Sequence, residues 1–170
     1  MIEDLLKRQK INILEKWFDL ILETFSSDTA SVLRKDRDPF TNPVGYTISR
    51  GLEVLLRKIC EGVEDDEYQQ ALNSILKIRS VQEVSPSKAV EFIFFLKKAI
   101  EEILGNKIFE ESLIKQWLCF QSRIDKMALQ AFNHYMDCRE KICEIRVNQA
   151  MVERDMAFRM MERMIQRKDV

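Results

Sequence analysis

The side chains able to do chemistry are few and scattered. The chain has one histidine, His134, so a cluster of imidazoles on a metal is excluded. A haem iron would need an axial ligand, and His134 is the only imidazole on offer. Beside Tyr135 in a helical pattern, it reads as a surface or satisfied structural histidine. Cys138 and Cys143 are five residues apart, roughly 140° around an ideal helix, and cannot chelate one metal from the same turn. With Cys60 and Cys119 they form no CxxC pair, and all four read as reduced, mostly buried thiols of a cytosolic protein. Helix starts and solvated faces account for the acid pairs Asp65-Asp66 and Glu110-Glu111. The glycine motifs GxGxxG and GxxxxGK[ST] and the zinc-protease motif HExxH are absent. The chain is therefore read as not an enzyme, with no catalytic residue, no metal site and no cofactor.

The one concentrated stretch is Asp38-Pro39-Phe40-Thr41-Asn42-Pro43-Val44-Gly45-Tyr46. Proline fixes φ, lacks a backbone donor and pushes the residue before it out of the helical region. Asp38 and Asn42 are thus expected to be extended or in turns. Asp38, Phe40, Asn42 and Tyr46 are the candidate ligand-binding residues. As a purely structural element the same stretch would be a rigid corner, with Phe40 and Tyr46 plugging the core and Asp38 and Asn42 capping backbone donors.

Everything around that corner has helical spacing. From about Glu3 to Phe25, the residues Leu14, Trp17, Phe18, Ile21, Leu22 and Phe25 recur at three- and four-residue steps and build one apolar face. Ser26 to Asp28 suggest a stop, and Ala30 to Lys35 a short turn of helix. The next helix starts at Asn42-Pro43, an N-cap followed by proline, buries Ile48, Leu52, Leu55, Leu56 and Ile59, and stops at Gly62. Glu64 to Glu67 open a third, with Tyr68, Ala71, Leu72, Ile75 and Leu76 inward. After a connection over 81–84, Ser85-Pro86 starts a fourth that carries Ala89, Phe92, Ile93, Leu96, Ile100 and Ile103 and ends at Gly105-Asn106. Phe92, Phe94 and Phe95 make it apolar on more than one face, so it is expected to be central.

Neither proline nor glycine occurs from Ile108 to Arg167. One straight helix of that length would run roughly 90 Å, too long for one compact domain. Two segments are expected. The first packs Leu113, Trp117, Phe120, Ile124, Met127, Ala131 and Tyr135 into the core. The second, from about Lys141, continues or bends outward. The division is a helical domain at 1–140 and an amphipathic, Met-rich helix at 141–170. Met151, Met156, Met160, Met161 and Met164 would leave apolar surface open unless a partner helix covers it, and are the expected interface.

Charge and length narrow the partners. The net charge of −1, with both signs interleaved, offers no basic face for nucleic acid. The acidic N-terminus lacks the apolar run of a signal peptide, and Phe92 to Leu96 is far short of the roughly 20 residues that cross a bilayer. A soluble, cytoplasmic protein with no membrane contact is expected.

Asp38 to Tyr46, with Gly51-Leu-Glu-Val-Leu-Leu56, resembles the N-terminal domain of RsbR- and RsbD-type regulators of a stress sigma factor. Ser80 to Lys98 and Tyr135 to Ile142 look like later blocks of the same domain. The resemblance implies an all-α sensory input module, globin-like without haem or a related helical bundle. It further implies a homodimer, with a C-terminal helix that in relatives leads into a STAS output domain, for which no room is expected before Val170. Short members of the family are also similar to a small protein encoded among dissimilatory sulfite-reduction genes. The leading reading is a regulatory domain that signals through protein contacts. The alternative is an accessory protein that binds a redox enzyme of sulfur metabolism or its maturation partner.

Overall fold

The computed structural model describes residues 1–35, 38–82 and 84–166. Glu83, in the connection before Ser85, and Arg167, at the end of the glycine-free run, lie outside the described residues. Eight α-helices and no strand occur among the described residues, so the all-α expectation holds. They are α1 (Ile2–Arg8), α2 (Lys10–Leu22), α3 (Ser27–Lys35), α4 (Pro43–Glu61), α5 (Asp66–Ser80), α6 (Pro86–Val90), α7 (Phe95–Leu104) and α8 (Glu111–Gln166). The chain falls into two units, 1–135 and 136–170.

Unit 1 holds the core. The stripes read from spacing are buried on α4 (Ile48, Leu52, Leu55, Leu56, Ile59) and on α5 (Tyr68, Ala71, Leu72, Ile75, Leu76). On α8, Trp117, Phe120, Ile124, Met127, Ala131 and Tyr135 are buried as well, with the Trp117 and Phe120 rings stacked at 6.2 Å. Each fully buried Leu, Ile or Phe side chain contributes about 1.5–3 kcal/mol, so these stripes are what hold the helices together. The helix boundaries follow their local chemistry. Asn42 caps α4 and Pro43 opens it; Gly62, at φ 69°, closes it in the left-handed region that glycine tolerates. Asp65 caps α5 by accepting from the Tyr68 N–H at 3.1 Å.

Two expected helices are divided. The first breaks at Gln9 (φ −101°, ψ 12°), within the polar run Lys7-Arg8-Gln9-Lys10, where no apolar side chain pins the backbone to the core. Ile2, Leu6 and Ile13, absent from the expected stripe, are buried on either side of the break. The helix expected from Pro86 to Leu104 is interrupted at Glu91–Ile93 by a 3-10 turn. The cause is Trp17, whose indole Nε1–H donates to the Phe92 carbonyl at 2.6 Å and draws that oxygen away from regular helix bonding. Phe92 is buried, but Phe94 is exposed, so the apolar run covers less of the core than its composition suggests.

Beyond Lys141 the chain is expected to continue or to bend, and α8 continues as one element of 56 residues. What changes along it is burial, which ends at Tyr135. Unit 2, over 136–166, is a helical stretch whose residues are exposed apart from the half-buried Cys138, Arg139 and Ile142.

Candidate functional site

The corner before α4 is built by two side chains. The Asp38 carboxylate accepts from the Phe40 and Thr41 N–H groups at 2.8 and 3.2 Å, and its carbonyl accepts from the Asn42 N–H at 2.9 Å. Asn42 is buried; its Oδ1 accepts from the Gly45 N–H at 2.9 Å, while Nδ2 donates to the Leu33 and Val32 carbonyls at 3.0 and 3.3 Å. One amide thereby caps the start of α4 and the end of α3 together. There is no room for a larger residue at Gly45, where a Cβ would stand 2.8 Å from the Leu33 carbonyl oxygen and 2.4 Å from Asn42 Nδ2.

Of the four candidate binding residues, Asp38 and Asn42 act as the backbone caps expected of a rigid corner. Phe40 and Tyr46 do not plug the core. Phe40 is 92% exposed, because the turn that Asp38 closes points it away from α3 and α4. Tyr46 is also exposed and lines an open cleft of about 290 Å³ with Arg50, Gly51 and Gln70, between α4 and α5. Asp38, Phe40 and Asn42 do not line it, so the four residues are not brought to one cavity.

A second cleft, of about 220 Å³, lies between α1 and α4, with Leu6, Leu56 and Cys60 among its walls and Lys7, Lys10, Arg57 and Glu61 around them. Cys60 is half-buried, and burial pushes its thiol up to about 12. The expectation of mostly buried thiols fails at Cys119 and Cys143, which are exposed. Both lie on solvent-exposed faces of α8. His134 is half-buried and its Nε2 lies 2.9 Å from Gln69 Oε1, a satisfied structural contact. No group of three or more acidic, cysteine or histidine side chains able to hold a metal occurs among the described residues.

Two buried cations escaped the reading of the sequence. Arg79 is 2% exposed; it donates to the Lys88 carbonyl (2.8 Å), Thr24 Oγ1 (2.9 Å) and Gln82 Oε1 (3.1 Å), and lies over the Phe25 ring. Burial lowers its pKa, yet guanidinium stays charged, so the group works as a pin between the ends of α2 and α5 and the start of α6. The signal was its place seven residues beyond Leu72, on the inward face of α5. Lys58 is buried between Asp65 (2.5 Å) and Glu67 (3.1 Å). Their hydrogen bonds raise the lysine, and the lysine in turn holds both carboxyls below their usual range.

Unit 2 presents a different surface. Met151, Met156, Met160, Met161 and Met164 are all exposed, as are Ile145, Val147, Val152, Phe158 and Ile165. At about 100° per residue these fall on two stripes on roughly opposite sides of the helix. Ile145, Val152, Met156, Met160 and Met164 make one; Val147, Met151, Phe158, Met161 and Ile165 make the other. No described helix is long and apolar enough to cross a membrane, so the stripes are not those of a spanning segment.

No curated protein and no solved structure matches the chain. A family model does, that of the RsbT co-antagonist protein rsbRD N-terminal domain, over residues 12–149. The match begins within α2, takes in the corner, α4 to α7, and the buried stripe of α8, and reaches into unit 2. On that match the chain belongs to the rsbRD N-terminal domain family, the regulatory input domains of RsbR-type regulators.

Proposed function

We propose that the chain is a non-enzymatic sensory domain that works as a homodimer and signals through protein–protein contacts of the helix beyond Tyr135. Family membership supports a regulatory role, and the observation that carries the finer reading is the surface of unit 2. A helix that exposes Met156, Met160 and Met164 along one side loses apolar contact with water there only when another chain covers it. A second copy brings an identical stripe, and side chains at three- and four-residue steps can interdigitate along a shared seam. Signal would enter in unit 1, at the corner around Asp38 to Tyr46 or in one of the two clefts. It would leave through the packing of α8, an element of the kind that has two discrete arrangements in switching proteins. The sulfite-reduction setting finds no support in the comparisons.

The test is native mass spectrometry of the intact chain, of a chain truncated after Lys141, and of the double variant Met156→Glu, Met160→Glu. A dimer that becomes a monomer in both altered forms is expected. An intact chain that is itself monomeric would overturn the dimeric reading.

A further inference from the structure

The cleft between α1 and α4 has a composition that selects a ligand class. Its volume, about 220 Å³, exceeds the ~150 Å³ cavity known to take up a benzene ring, so a short alkyl chain fits. Leu6 and Leu56 are almost fully buried at its base. Cys60 stands beside them with its thiol held neutral by burial, which makes it an apolar wall and not a nucleophile. The rim carries Lys7, Lys10, Arg57 and Glu61. Lys10 is engaged by Glu53 at 2.7 Å and Arg57 by Glu67 at 2.5 Å. Lys7 makes no ion pair among the described residues and is the cation left to receive an anion.

We propose that this cleft binds a small amphipathic carboxylate, its alkyl chain against Leu6, Leu56 and Cys60 and its carboxylate at Lys7. A bare inorganic anion would leave the apolar base wet, and a neutral hydrocarbon would make no use of the Lys7 ammonium. Leu6, Lys7 and Lys10 lie before residue 12, where the family match starts. Occupancy also has a route to α8. The Ile2 N–H donates to Gln116 Oε1 at 2.9 Å, and Glu3 faces Arg123 at 3.9 Å. Arg123 in turn donates to the Ile59 carbonyl, next to Cys60, at 3.1 Å. A ligand that draws α1 onto α4 therefore acts on a contact triangle whose third side is α8. For the step from occupancy to output the inference rests on the sensory reading above; binding does not.

The experiment is calorimetric titration of the full chain with octanoate, with octanol and acetate as probes lacking the charge or the chain. Lys7→Glu and, as a surface control, Lys115→Glu are titrated alongside, with methyl NMR shifts to locate the site. Saturable octanoate binding is expected, about fivefold or more weaker in Lys7→Glu, unchanged in Lys115→Glu, and stronger than for octanol or acetate. Shifts should centre on Leu6 and Leu56. Absence of saturable octanoate binding, equal affinity in Lys7→Glu, or shifts centred elsewhere would each overturn the proposal. A dimer that fails to bind octanoate removes the ligand and keeps the sensory reading; a monomer that binds it removes the dimer and keeps the site.

Discussion

Asn42 does the work of two caps with one buried side chain, serving the Gly45 N–H and the last carbonyls of α3. Replacing it with alanine leaves these groups unpaired, so Asn42→Ala is expected to lower stability by about 2 kcal/mol in urea unfolding, at the upper end for a lost cap. The carboxyls around Lys58 give a pH dependence of definite sign. Asp65 and Glu67, ordinarily near 3.8 and 4.5, are depressed in the folded chain by their bonds to Lys58. A depressed carboxyl adds stability that is present above its unfolded pKa and lost as pH falls through the folded one. Stability should therefore fall below about pH 4, and the gap between the native chain and Lys58→Met should narrow over the same range in acid titrations of unfolding. Asn42 was legible because it stands before a proline at a helix start. The direction of Phe40 was not, since an aromatic residue in a turn carries no periodicity to say which side it faces. Arg79 was hidden for the opposite reason: its type argues for the surface while its position argues for the core.

Between elements, distances of closest approach set what each glycine tolerates. At Gly51, a Cβ would meet the end of the buried Ile75 side chain, Cδ1 at 2.8 Å and Cγ1 at 3.0 Å. At Gly45 it would meet the Leu33 carbonyl oxygen, fixed in α3. Alanine is favoured over glycine in a helix by about 1 kcal/mol, which offsets a small shift of Ile75 but not a displaced α3. Thermal unfolding should thus show Gly51→Ala near neutral and Gly45→Ala clearly destabilised. The same scale explains which helices were legible. The stripes of α4 and α5 are regular and lie between clear caps, so spacing locates them. The interruptions at Gln9 and at Glu91–Ile93 have no proline or glycine to announce them. The second depends on an indole 75 residues away in sequence, information that no local pattern contains.

For the whole molecule, the all-α class and the regulatory family were both legible, the first from spacing and scarce breakers, the second from the corner motif with its flanking blocks. The clefts were not, because each is formed by residues from two helices whose facing sides only packing decides. The Met-rich surface was legible as composition, and the native mass measurement bears on what covers it. The arrangement of its apolar groups has one more consequence. Two stripes on opposite sides give the helix a valence of two. A pair of copies joined along one stripe still offers the other, duplicated by symmetry, to a different chain. Self-association and delivery of a signal would then not compete for one seam, and the spacing that separates Met156 from Phe158 by two residues would keep the two contacts apart.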